Sequence, residues 1–410
     1  MREFEYLIVG GGLAAASAVD GIREVDPHGS IGILSDESEP PYHRPPLSKE
    51  FVQTPEAPRS LVHVKPEGWF EGREGVELRL GAHATSLDAR ERQVNVADHE
   101  PVRGRRILLA TGGRPRTLVL PGRELERVFT LRTVEDSEAI RAAAAATERA
   151  VLIGGGFIGM ELGASLTKLG VEAVVVECAE RVWSSMFPPA VAGFVQGRFE
   201  AEGVSFRLGA RVERLEGEGQ VERAILEDGE TIRCDLVVIG VGMIPNDELA
   251  VRGGLAVRDG VIVDAFAETT AGHIYAAGDV ARFPDPVFDD LTRVEHWDHA
   301  KAHGKLAGRN MAGERQPYDH VSYFFTNVFD LSINAFGRPD AAERTIVSGE
   351  LGPGRSIVYC ADEARLCGAL LVNANDALDE CRELVRARPT VDELIERFEN
   401  PDAQIGELVG

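Results

Sequence analysis

Two glycine turns define the chemistry open to this chain: Gly10-Gly11-Gly12-Leu13-Ala14-Ala15 and, 144 positions later, Gly154-Gly155-Gly156-Phe157-Ile158-Gly159. Each has the spacing G-x-G-x-x-G/A, which suits the pyrophosphate of a dinucleotide. The first glycine permits a tight turn, and the second lets phosphate approach the backbone. The third small residue, Ala15 or Gly159, lets the following helix pack on the strand. An acid follows each turn: Asp36 lies 26 positions after Gly10, and Glu177 lies 23 after Gly154. A carboxylate at that distance accepts a hydrogen bond from an adenosine ribose hydroxyl. Two fingerprints in one chain imply two dinucleotide sites.

The elements that must hold these turns are legible around them. Tyr6-Leu7-Ile8-Val9 is a short apolar strand leading into the first turn, an alanine-rich helix follows, and Ile31-Gly32-Ile33-Leu34 is the next strand. The second unit repeats the plan with Ala150-Val151-Leu152-Ile153 and Ala173-Val174-Val175-Val176. Phosphates would meet free N–H groups at the positive end of each helix. Three more strands run into glycine: Ile107 to Gly112, Leu236 to Gly242, and Ile274 to Asp279. Their carboxyl ends are where open α/β sheets bind ligands. Beyond about residue 318 the texture changes. Strand-like stretches Ser322–Phe325, Leu331–Phe336, Ser356–Cys360 and Leu366–Val372 precede helices over Asp376–Ala387 and Val391–Phe398. The expected fold is α/β, with two Rossmann-like dinucleotide-binding domains and a C-terminal α+β domain, an antiparallel sheet with helices on one face.

Composition excludes other classes. The 410 residues carry a formal net charge of −23, which opposes binding to nucleic acid or anionic membranes. Five scattered cysteines form no CxxC pair and no disulfide framework. No apolar run approaches the roughly 18 residues of a membrane span, and the N-terminus lacks the pattern of a secretory signal. These features predict a cytoplasmic protein, monomer or homodimer, with no membrane or nucleic-acid partner. His296, His299 and His303 would share a helical face, but no Cys or Asp at matching spacing completes a metal site, so no metal is expected. Lys301, Lys305 and Arg309 repeat at four-residue spacing, either as a solvated helix face or as a docking patch for an acidic redox protein.

The segment Pro41-Tyr42-His43-Arg44-Pro45-Pro46-Leu47-Ser48-Lys49 resembles the "PYxRPPLSK" loop of oxygenase-coupled ferredoxin reductases and apoptosis-inducing factor. Ala110-Thr111-Gly112, the Gly240–Asn246 "GVGxxPN" run and the Ile274–Asp279 "IYAAGD" run resemble the same flavoprotein superfamily. Arg293–Ala300 looks most like apoptosis-inducing factor and its bacterial relatives. The resemblance implies an FAD-binding domain in two parts, 1–114 and 246–318, an NAD-binding domain over 115–245, and a C-terminal domain over 319–410. It further implies that Gly10, Gly12, Leu13, Ala14, Ala15, Asp36, Arg44, Lys49, Ala84, Ala110, Thr111, Gly112, Arg116, Gly278, Asp279, His296 and Trp297 surround FAD. Gly154, Gly156, Phe157, Ile158, Gly159, Glu161, Glu177 and Gly242 then hold NAD.

The implied reaction is hydride transfer from NADH to FAD, followed by release of single electrons to a 2Fe–2S ferredoxin serving an oxygenase or cytochrome P450. Lys49 and Glu161 are the catalytic candidates: a cation beside the flavin, and an acid that holds the nicotinamide carboxamide. On helical position alone Glu161 is equally a first-turn acid favoured by the helix dipole. No cysteine lies between Ile31 and Val64, so thiol chemistry on a bound disulfide is disfavoured. Where the ferredoxin reductases carry an "FWSDQ"-like segment, this chain has Phe324-Phe325-Thr326-Asn327-Val328, without the Trp or the acid. That departure keeps a second expectation open, a redox-sensing flavoprotein like apoptosis-inducing factor, with slow oxidase activity and a non-ferredoxin partner.

Overall fold

The computed structural model describes residues 2–352 and 354–399, and the chain separates into two compact units. The first unit comprises the described residues of Met1–Arg44, Pro58–Arg114 and Met243–Ser322. Its sheet centres on strand Arg2–Val9, flanked in parallel by Ile31–Leu34 and Val102–Leu109. Val76–Arg79 extends one side, and Ile274–Ala276 also pairs in parallel with Val102–Leu109. The antiparallel strands Gln93–Val96 and Ala84–Asp88 complete it. Leu7, Ile8, Ile31, Ile33, Ile107 and Leu108 are fully buried, as expected for strands covered on both faces.

Helices Leu13–Val25 and Trp297–Met311 cross at unusually close range in this unit. A Cβ at Gly304 would lie 2.3 Å from the Ala14 carbonyl oxygen, and one at Gly308 would lie 2.1 Å from that of Ala18. Small residues on both helices are therefore what let the backbones touch. This contact anchors the N-terminus of the second helix, and with it His296 and Trp297. Further along, His299 and His303 are buried against Phe283, with ring centroids at 4.6 and 5.0 Å. His299 Nδ1 lies 2.9 Å from the Tyr318 hydroxyl, while neither ring nitrogen of His303 meets a protein hydrogen-bond partner. The histidine face thus packs into the core.

The second unit comprises the described residues of Pro45–Ala57, Pro115–Gly242 and Tyr323–Gly410. Its five-stranded parallel sheet runs Ser205–Leu208, Glu172–Glu177, Arg149–Ile153, Leu236–Ile239, Val128–Phe129. A three-stranded antiparallel sheet, Val212–Glu216, Arg223–Leu226 and Thr231–Arg233, packs beside it through Leu215, Ala224 and Leu226. The C-terminal part is a five-stranded antiparallel sheet followed by helices Leu378–Ala387 and Val391–Glu399. Its strand Arg344–Gly349 has no counterpart in the sequence reading: its residues are half-buried or exposed, so it lacks a strong apolar signal. Segment Pro45–Ala57 groups with this unit, although the domain expectation placed it within 1–114. The cause is a set of polar contacts to helix Phe157–Lys168, described below. No described helix is long and apolar enough to cross a membrane.

The buried histidines make stability pH-dependent. Burial drives the His303 imidazole down to about 3. Its folded value lies below the unfolded one, near 6.5, so the unfolded chain binds the extra proton as pH falls. The stability is whole above about pH 6.5 and is lost between there and the folded value, by up to about 1.4 kcal/mol per pH unit for this proton. Urea unfolding at pH 7 and pH 5 should show that loss, and His303→Leu should make it shallower. An unchanged pH slope in the variant would contradict it.

Candidate functional site

The first glycine turn is shaped by close approach. Gly10 has φ 122°, and a Cβ there would lie 2.1 Å from the Ala110 carbonyl oxygen. Its N–H donates to the Leu34 carbonyl at 2.8 Å, tying turn to sheet. Helix Leu13–Val25 then starts at Gly12 with no side-chain cap, and no heavy atom lies within 4 Å of where a Gly12 Cβ would stand. The N–H groups of the first helical turn therefore have no side-chain cap, and no side chain stands over Gly12, as a phosphate-binding turn requires. Leu13 and the buried Ala14 and Ala15 form the first helical turn.

The second turn repeats this geometry. Gly154 donates to Val176 at 2.8 Å, and a Cβ there would lie 2.4 Å from the Gly240 carbonyl oxygen. Helix Phe157–Lys168 starts at Gly156, again without a side-chain cap, and a Gly156 Cβ would find only the Gly240 oxygen, at 4.0 Å. A Cβ on Gly159 would lie 1.9 Å from the Gly154 oxygen, so the helix could not pack this closely with alanine there. Ile158 lies against Gly240. Both turns fit a dinucleotide diphosphate.

The two acids behave differently. Glu177 accepts from the Gly155 N–H at 2.6 Å and from the Ala179 N–H at 2.7 Å, which aims its carboxylate at the turn. Leu34 and Val176 play the same part for Gly10 and Gly154, so Ser35 stands where Glu177 does. Asp36 lies one residue beyond, with its side chain 72% exposed and paired with His83 Nδ1 at 3.0 Å. Glu37, passed over in the sequence reading, turns inward instead, accepting from the Tyr42 hydroxyl and, at 2.5 Å, from the Arg44 guanidinium. The structure therefore brings Arg44 together with Glu37 rather than with Asp36.

The remaining first-unit candidates gather at strand ends. Thr111 Oγ1 donates to the Asn246 carbonyl at 2.6 Å, Asn246 Nδ2 donates back to the Thr111 carbonyl at 3.0 Å, and the Asn246 N–H reaches Gly112 O at 2.9 Å. Asn246 thus locks two motifs 135 residues apart. Ala110 is buried, and Ala84 opens strand Ala84–Asp88 opposite Val96. Gly278 packs on Ala14, placing Asp279 beside the helix start, where the Asp279 carbonyl accepts from Arg293 at 3.2 Å. His296 stands at the N-cap position of helix Trp297–Met311 without a side-chain cap, and burial pushes its imidazole down to about 4. Trp297 Nε1 donates to His43 Nδ1 at 2.9 Å, which requires the neutral tautomer with its proton on Nε2. Burial, helped by the Lys301 ammonium, holds His43 below the usual imidazole range. Lys301 itself sits 5.1 Å over the Trp297 ring.

In the second unit the chemistry concentrates on one buried carboxylate. Glu161 and Lys49 are each only 6% exposed, and Lys49 Nζ donates to Glu161 Oε1 at 2.7 Å. Ser48 Oγ donates to Oε2, and Thr326 Oγ1 donates to Oε1 at 2.6 Å. Glu161 is past the first turn of its helix, so dipole attraction is not what places it there. Segment 45–53 is held for this purpose: Ser137 donates to the Leu47 carbonyl, Ser165 to that of Ser48, and Arg141 to that of Phe51. Phe157 meets Trp183 and Phe324, at 5.7 and 4.8 Å between centroids. Arg116 is exposed, and its backbone N–H donates to Gly242 at 2.8 Å. Ser48, His43, Asn246 and Thr326 were missed as site residues; the signal for the first two was their place in the 41–49 loop.

No thiol is poised for nucleophilic attack. Burial raises Cys234 to about 12 and Cys367 to about 11, and it raises Cys360 further. Exposed Cys178 donates to Glu177, which also raises it. Among the described residues no group of three His, Cys, Asp or Glu could hold a metal ion.

Residues 4–304 match the model of the pyridine nucleotide-disulphide oxidoreductase family. A "Probable ferredoxin reductase CtmF" of Castellaniella defragrans is 35% identical, over 90% of this chain and 90% of its own. The crystal structure of the ferredoxin reductase for the CYP199A2 system of Rhodopseudomonas palustris superposes with TM-score 0.87 at 32% identity, covering 91% and 93% of the two chains. The reductase of a covalent putidaredoxin reductase–putidaredoxin complex superposes with TM-score 0.92 at 28% identity, covering 100% and 98%.

The orientation of Glu177 predicts the choice of nucleotide. A 2′-phosphate beside this carboxylate meets repulsion of up to about 4 kcal/mol at an effective dielectric of 20. With screening, kcat/KM should favour NADH over NADPH by about tenfold to a few hundredfold, and Glu177→Gln should bring the ratio within about tenfold. Equal use of both nucleotides by the unaltered protein would contradict this role.

Proposed function

We infer that this chain, which belongs to the pyridine nucleotide-disulphide oxidoreductase family, is the NADH-dependent reductase of a 2Fe–2S ferredoxin that serves an oxygenase or cytochrome P450. Its cofactors are FAD and NAD(H). When bound, FAD accepts the two electrons of a hydride and gives them up singly. We assign FAD to the turn at Gly10–Ala15, with the stretches 1–114 and 246–318. NAD goes to the turn at Gly154–Gly159, within 115–245, and 319–410 forms the C-terminal domain.

The protein's residues bind and orient. Amides at Gly12 and Gly156 hold the two diphosphates, and Glu177 receives the nicotinamide nucleotide's adenosine ribose. Glu161 holds the carboxamide, and the Lys49 ammonium supplies positive charge. Asp279, Arg44, His296 and Trp297 serve the flavin half. One observation carries the reading: two uncapped helix N-termini shaped alike for diphosphates, in a chain whose thiols are buried or held protonated. With no internal thiol to reduce, the electrons must go to an external acceptor. The relatives support a ferredoxin-type acceptor, since one is a probable ferredoxin reductase and one solved relative is a reductase in a covalent complex with putidaredoxin.

The acceptor-facing charge is narrower than the helical stripe implied. Lys305 pairs with Glu24 at 2.7 Å and Arg309 pairs with Glu314, so much of their charge is spent locally. Lys301, over the Trp297 ring, is the better candidate to meet an acidic ferredoxin. Lys301→Glu should slow reduction of a 2Fe–2S ferredoxin by about tenfold or more at low salt, and Lys305→Glu much less. NADH-dependent bleaching of the flavin should stay near the unaltered rate in both. Salt should shrink the difference, because attraction is screened within about 10 Å at 0.1 M. Failure to reduce any 2Fe–2S ferredoxin would overturn the assignment of acceptor.

A further inference from the structure

Helix Phe157–Lys168 presents Phe157, Glu161 and Ser165 at four-residue spacing, which aligns them in one stripe. Strand Tyr323–Val328 presents Phe324 and Thr326 on one face, two residues apart. The two repeats match: four helical residues advance about 6 Å, and two strand residues about 6.6 Å. Phe324 accordingly meets Phe157, and Thr326 meets Glu161. Ser165, one turn further, binds the other segment through the Ser48 carbonyl at 2.6 Å and accepts from Gln53 Nε2 at 2.7 Å.

A fully buried position in a β-strand is served as well by valine as by threonine, unless the hydroxyl is needed. Here the hydroxyl of Thr326, 0% exposed, is spent on Glu161 Oε1. A carboxylate offers about four acceptor sites, two on each oxygen. Oε1 already takes Lys49 and Thr326, and Oε2 takes Ser48. One acceptor site remains, on Oε2. Lys49 and Ser48 both come from segment 45–53, so they hold the carboxylate from one side only. Thr326 holds it from another part of the chain, which stops it rotating and keeps the open Oε2 site in a constant direction. We propose that Thr326 is a positioning residue: its hydroxyl keeps Glu161 oriented so that Oε2 can accept the N–H of the nicotinamide carboxamide. This rests on the assignment of Glu161 to the carboxamide. Phe324 sets the register that delivers the hydroxyl.

The test compares Thr326→Val, which keeps the shape, with Thr326→Ser, which keeps the hydroxyl, in the full-length FAD-loaded protein. Glu161→Gln runs alongside. Anaerobic stopped-flow mixing with NADH reads the flavin reduction rate and the NADH Kd. A hydrogen bond to a charged group is worth about 10- to 100-fold in rate, so Thr326→Val should slow reduction by that factor with Kd changed less than about threefold. Thr326→Ser should recover to within about threefold of the unaltered protein. Independently of activity, the infrared carboxylate stretch that Glu161→Gln removes should shift in Thr326→Val and return to its unaltered position in Thr326→Ser. Thr326→Val at the unaltered rate and with an unshifted carboxylate band, with Glu161→Gln slow, would overturn the positioning role and leave Glu161 assigned. Serine as slow as valine would overturn it as well, by showing that shape matters rather than the hydroxyl. Glu161→Gln at full rate would overturn both assignments.

Discussion

A carboxylate removed from water must be given back the hydrogen bonds and the counter-charge that water supplied, and Glu161 organises its unit around that constraint. One ammonium and two hydroxyls meet it, drawn from residues 48, 49 and 326. Delivering them requires segment 45–53 to leave the sequence neighbourhood of the first glycine turn and dock on helix Phe157–Lys168. Ser137, Arg141 and Ser165 take up the segment's backbone carbonyls for that purpose. Residues Pro45–Ala57 belong to the second unit for this reason. A buried ion pair of this kind is a weak source of net stability, but leaving either partner alone is expensive. Its value here is directional, because it fixes a negative group and a positive group beside a dinucleotide turn.

The two glycine turns show one device used twice with different finishing. Both start a helix without a side-chain cap, and both pair the first glycine with the end of the next strand, at its last residue Leu34 in one and its next-to-last residue Val176 in the other. The second turn then has Glu177 folded back on the Gly155 amide. The first has Ser35 at that place, and its acid, Glu37, is committed to Tyr42 and Arg44. Phosphate recognition is thus backbone chemistry common to both, while the surrounding polar groups differ between the units.

Backbone-determined features were the ones legible in the sequence. A glycine needed for close approach leaves an unmistakable letter, so the turns at Gly10 and Gly154, their strands and their helices could be placed directly. The C-terminal strands and helices were also visible, because buried runs such as Leu366–Val372 read as strand. Strand Arg344–Gly349 was not, since an edge strand with few buried side chains carries little apolar pattern. Spacing points to Asp36 as the first-turn acid, while its exposure and its pairing with His83 follow from local backbone direction that no periodicity encodes. Lys49 is joined to Glu161 across 112 residues only by the family resemblance, and the other two partners, Ser48 and Thr326, were hidden because they lie 113 and 165 residues away and only the fold brings them together. The histidine stripe is ambiguous by spacing alone, since a buried imidazole packed on Phe283 and a metal ligand can share the same spacing.

The central claim, that Glu161 and Lys49 form one buried unit pinning segment 45–53, is tested most directly by native-state hydrogen exchange through a double-mutant cycle. The Lys49 and Gln53 amides donate to the Pro46 and Lys49 carbonyls within this segment, so their exchange reports its opening. Lys49→Met or Glu161→Gln alone strands one buried partner and should speed exchange at both amides by about 100-fold or more. The double variant, which strands neither, should exchange no faster than either single one. Unaltered protection in the single variants, or effects that simply multiply in the double, would contradict the account.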